Sequence, residues 1–73
     1  MTQNEINIIY GMADRLEEGG PVRGSFGLLH TSTQQEIYAI APSLMMPNLS
    51  RAERLAMADA LRGLIGVEVA HDK

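Results

Sequence analysis

Apolar residues recur at spacings of three and four in the first segment, where Ile6, Ile9, Tyr10, Ala13 and Leu16 share one face of a helical period. That pattern predicts an amphipathic helix. Thr2 and Glu5 stand at capping-box spacing ahead of it, and Met12 widens the stripe. Gly19-Gly20-Pro21 closes the helix, since glycine takes the left-handed C-cap conformation and proline cannot continue the hydrogen bonds. The predicted bounds are 3–18. Gly11 inside the run costs ~1 kcal/mol relative to alanine without breaking the pattern. Ile8 falls off the stripe, toward Arg15, so this helix is expected to be covered on more than one side.

From Val22 to His30 the period changes to two, with Val22, Gly24, Phe26 and Leu28 on one face. This predicts a strand over 22–30. Thr31 to Gln35 is a polar connector of hairpin length, and Glu36-Ile37-Tyr38-Ala39-Ile40-Ala41 supplies a second strand over 36–41, closed by Pro42. A hairpin alone is barely stable, and the first helix is its nearest cover. Residues 42–49 form an apolar loop carrying Leu44, Met45 and Met46 between two prolines. Ser50 and Glu53 repeat the capping-box spacing and open a second helix over 51–65, with Gly66 as its C-cap. In the tail, 66–73, Val67 to Ala70 alternates and offers a short third strand. The expected fold is therefore a single α+β domain over 1–73: helix, β-hairpin, helix, with a single-layer sheet covered by helices.

Composition narrows the class. Seventy-three residues and 8.0 kDa give one small domain, for which surface scaling expects ~4,450 Å² folded against ~11,600 Å² unfolded, so only about 62% of the unfolded surface is buried. There is no cysteine to staple the fold, a reducing compartment is the simpler setting, and the N-terminus lacks the basic and apolar regions of a signal peptide. Cytoplasm is the expected location. No apolar run approaches the ~20 residues of a membrane span. Net charge is −3, and it belongs to the first segment, where Glu5, Asp14, Glu17 and Glu18 face only Arg15; the rest of the chain balances.

The second helix has two packing rows. Met57, Ala58, Leu61, Leu64 and Ile65 form a large-residue face, while Ala52, Ala56, Ala60 and Gly63 form a small one that allows close backbone approach. These four, with Ile8, are the candidate self-interface, set against the simpler reading that alanine is a good helix former in water. Arg51, Arg54, Leu55, Ala58 and Arg62 make an arginine-edged stripe, and the Leu44, Met45, Met46 loop enters the same helix. Together they are the candidate surface for a protein partner, because interface cores favour Met and Arg over Lys. Asp14, Glu17 and Glu18 form a candidate acidic surface for basic partners. The competing reading has these acids meeting the arginines inside the monomer.

Other chemistries have thinner support. A nucleic-acid-binding regulator could be built on Arg51, Arg54 and Arg62, but the acidic first helix, the single lysine and the three aromatics argue against it. The glycines between Gly19 and Gly27 follow a helix and lead into a predicted strand, the reverse of a phosphate loop. His30 and His71 stand forty-one positions apart with no diagnostic acid or hydroxyl spacing, and Asp72 beside His71 makes only a weak metal site. An enzyme or metal-binding protein with an intersubunit site is the least supported reading. The expectation is a small non-enzymatic module, an adaptor, regulator or inhibitor, without cofactor, acting as a homo-oligomer on another protein.

Overall fold

Local signals and packing together build four helices. The computed structural model describes the backbone of residues 1–71 and the side chains of residues 1–68. Along the chain run α1 (Gln3–Glu18), α2 (Arg23–Phe26), α3 (Thr31–Ile40) and α4 (Arg51–His71), with no strand among the described residues. The expected α+β class is thus overturned in favour of an all-helical fold.

At the ends of α1 the predicted chemistry is in place. Glu5 N–H donates to Thr2 Oγ1 at 3.2 Å, and Thr2 N–H donates to Glu5 Oε1 at 3.2 Å, completing the capping box. Gly19 takes φ 91°, and the Gly19 and Gly20 N–H groups both donate to the Arg15 carbonyl, at 2.9 and 2.8 Å. The second capping box also forms, with Ser50 N–H donating to Glu53 Oε1 and Glu53 N–H to Ser50 Oγ, each at 3.1 Å.

α4 does not stop at Gly66; it passes through Gly63 and Gly66, and no strand forms at 67–70. Glycine ends a helix only where a left-handed turn is adopted. Here Ile65 is fully buried and holds the turn between the two glycines against the core, which offsets their ~1 kcal/mol propensity cost. Residues 72 and 73 of the predicted tail lie outside the described residues, as do the side chains of Val69, Ala70 and His71.

α1 and α4 make the most extensive packing in the molecule. They run antiparallel, since Arg54 in the first turns of α4 reaches the C-terminal end of α1. Ile9, Met12 and Ala13 of α1 and Ala58, Leu61 and Ile65 of α4 are completely buried in their seam. The folded surface is 4618 Å², close to the ~4,450 Å² that scaling expects.

The predicted hairpin is instead α2, a turn and α3. In residues 22–44 the buried positions are Val22, Phe26, Leu29, Thr33, Ile37, Ala41 and Leu44, spaced three or four apart. Leu28, which alternation puts on the same face as Phe26, is 72% exposed. A short alternating run also satisfies a helical period, and the single face that α1 and α4 offer selects the helical one. Thr31 to Gln35 is not a connector but the first turns of α3. Gln34 Nε2 donates to the Phe26 and Leu29 carbonyls, at 3.0 and 3.2 Å, and so ties α3 to the end of α2. Phe26 and Tyr38 meet edge to face with centroids 5.1 Å apart. Pro42 does end the element, because it disfavours the helical region for Ala41, which sits at φ −140°. Among the described residues no helix is long and apolar enough to cross a membrane.

Candidate interaction surfaces

The arginines of α4 divide by what they touch. Arg62 Nη2 lies 3.0 Å from Asp14 Oδ1 and also bonds Glu17 Oε1, bridging α4 to α1. The bond to Glu17, opposed by desolvation and reinforced by Asp14, raises the Arg62 pKa. Arg54 Nε donates to the Leu16 carbonyl at 3.1 Å, filling an acceptor that the end of α1 would otherwise leave open. Its guanidinium lies against Gly19, where a Cβ would stand 2.6 Å from Nη2. The φ of 91° is what favours glycine there, and a side chain would also displace the Arg54 guanidinium. Arg51 is exposed and, like Glu18, makes no ion pair among the described residues. Leu55 is half-buried and Ala58 fully buried, so Ala58 belongs to the seam.

Between the end of α1, the start of α2 and the 42–49 loop lies an open groove of about 220 Å³. Leu16, Val22 and Leu44 form its buried floor, with Met45 half-buried and Met46 60% exposed along the loop side. Asn48 turns the chain beside it with φ 62°. The groove brings together Leu44, Met45, Met46 and Arg54 of the predicted partner surface and adds Arg23. Arg23 gave no such signal in the sequence, where it sits on a predicted strand. Arg51, Leu55, Ala58 and Arg62 lie outside the lining.

The outward face of α4 is a second surface. Ala52, Ala56 and Gly63 are exposed, Ala60 is half-buried, and Val67 adds an apolar side chain at 65% exposure. Asp59 is the one charged residue among them. Nothing lies within 4 Å of a Cβ built at Gly63 or Gly66. Ile8 is half-buried against the core on the Arg15 flank of α1, and Arg15 Nη1 donates to Ser25 of α2, so Ile8 is apart from the α4 row.

Glu5 has a role beyond its cap. It is only 4% exposed, its Oε2 accepts the His30 N–H at 3.1 Å, and Thr33 lies beside it. Burial pushes its carboxyl up, but hydrogen bonds from the Thr33 hydroxyl and the His30 and Thr2 N–H groups outweigh burial and hold the pKa below the ordinary value. One carboxylate thus ties the start of α1 to the start of α3. The capping-box spacing marked Glu5 in the sequence; its long-range partners had no sequence signal. Among the described residues no three His, Cys, Asp or Glu side chains gather as a metal site would need, and the His71–Asp72 pair lies outside the described side chains. No family model, curated protein sequence or solved structure matches this chain.

Proposed function

We propose that this chain is a small non-enzymatic protein-interaction module of the cytoplasm that works without a cofactor and as a homo-oligomer, most simply a C₂ dimer. The outward face of α4 carries the reading. A solvent-facing helix ordinarily shows charged and polar side chains, whereas from Ala52 to Val67 this face offers alanine, glycine and valine around one aspartate. Such a face lets two helices approach closely, with Asp59 the one charge that must stay at the solvated edge of the contact. The nucleic-acid alternative weakens, because Arg62 is paired with Asp14 and Glu17 of the protein itself.

Sedimentation equilibrium over a wide concentration range tests the reading. Wild-type protein is expected to self-associate, and Gly63→Glu to remain monomeric. The open space at Gly63 accommodates the new side chain, and glutamate is the better helix former by ~0.5–1 kcal/mol, so loss of association is not loss of fold. A wild-type chain that stays monomeric at the highest concentration rejects the proposal.

A further inference from the structure

The groove beside the 42–49 loop combines three properties that point to one kind of occupant. Its charge is one-sided: the lining holds Arg23 and Arg54 and no carboxylate, in a chain whose net charge is −3. Arg54 uses Nε on the Leu16 carbonyl, and its Nη donors have no hydrogen-bond acceptor among the described residues. Arg23 is exposed, and it too has no carboxylate partner among the described residues. A pair of guanidiniums so placed suits carboxylates, which they bind in fixed, directional geometry.

The floor is apolar and the loop side is adaptable. Leu16, Val22 and Leu44 present buried hydrocarbon, while Met45 and Met46 bring unbranched thioethers that adjust to side chains of different outline. Size then decides between a free small molecule and a piece of protein. Ligand pockets run to ~300–1,000 Å³ and enclose most of their occupant, whereas this groove has about 220 Å³ and is open on one side. A cavity of ~150 Å³ holds a benzene ring, so the space matches one leucine or phenylalanine side chain whose backbone stays outside.

We infer that this groove binds a segment of a partner protein in which one large apolar side chain is flanked by carboxylates, the apolar group entering over Leu16, Val22 and Leu44 and the acids meeting Arg23 and Arg54. The inference rests on the reading of the chain as an interaction module, but it uses a surface separate from the α4 row.

Fluorescence anisotropy with a labelled peptide, acetyl-Ser-Asp-Glu-Leu-Asp-Glu-Ser-amide, tests it on the 73-residue chain. Saturable binding is expected, weakened roughly tenfold or more when the acids become amides or the leucine becomes serine. Arg23→Glu is expected to weaken binding to a similar extent and Arg23→Lys less; Arg23 is exposed, and unchanged far-ultraviolet circular dichroism checks that each variant folds. Absence of saturable binding, indifference to Arg23→Glu, or equal binding of the amide peptide overturns the inference. So does a labelled RNA oligonucleotide that binds through Arg23 where the peptide does not. Repeating the titration in Gly63→Glu separates the two proposals: retained peptide binding in a monomer supports the groove independently, and self-association without peptide binding removes the groove alone.

Discussion

The α1–α4 pair and the segment between them are held by different physics. α1 and α4 have 16 and 21 residues, each opened by a complete capping box, and they are bridged by Arg54 and Arg62. α2 and α3 have 4 and 10 residues, and neither N-cap residue makes a side-chain cap bond. Isolated helices shorter than ~12–15 residues are marginal in water. The long pair specifies itself locally and serves as a frame; the short pair becomes helical by laying Val22, Phe26, Leu29 and Ile37 on that frame. The two proposed surfaces divide the same way, because Val22 and Arg23 of the dependent segment line the groove and the outward α4 face belongs to the frame.

The strongest way to break the contrast is to open a cavity on each side of it. Leu61 in the frame and Ile37 in α3 are both fully buried, and each truncation to alanine is expected to cost about 2–5 kcal/mol by urea denaturation. Leu61→Ala should abolish all helical signal in one transition at a lower midpoint. Ile37→Ala should lose part of the helical signal before the rest, since α3 depends on packing. A single coincident transition in both variants contradicts the division.

Next in size is the tie between the two regions. Glu5→Gln leaves the His30 N–H and Thr33 without their carboxylate, with an expected cost of about 1–3 kcal/mol at neutral pH. The sign of the pH dependence follows from the lowered pKa. A carboxylate with a depressed folded pKa contributes stability above its ordinary value, near 4.5, and that contribution is lost as pH falls through the folded value. Wild-type protein should therefore lose stability on acidification below about pH 4.5, and Glu5→Gln should show a shallower acid limb in thermal melts. Parallel acid limbs would remove Glu5 from the account.

The smallest effect is expected at the exposed bridge on the frame. Arg62→Gln breaks its contacts with Asp14 and Glu17, but solvent and salt screen such pairs. The stability difference from wild type should be slight at low ionic strength and vanish in molar salt. A large, salt-independent loss would show that the frame relies on this pair.

What the sequence disclosed follows the same division. Thr2, Glu5, Gly19, Ser50 and Glu53 announced both long helices because capping chemistry is local. Val22 to Ala41 misled because valine, phenylalanine, isoleucine and tyrosine favour strands, and a nine-residue alternation overlaps a helical period. The three- and four-residue spacing from Val22 through Phe26 and Leu29 to Thr33 and Ile37 was present, but it crosses the loop between α2 and α3 and includes a polar residue. For the candidate surfaces, the loop methionines and Arg54 were legible, as was the small row of α4. Arg23 was not, because its place depends on α2 being a helix.

Native-state amide hydrogen exchange tests the division most directly. Amides of Ile9, Met12, Leu61 and Ile65 are expected to exchange only through global unfolding, while those of α2 and α3 exchange through a separate opening of lower free energy. Equal protection across α2, α3 and the frame would contradict it, showing that the short helices fold as one unit with the long pair.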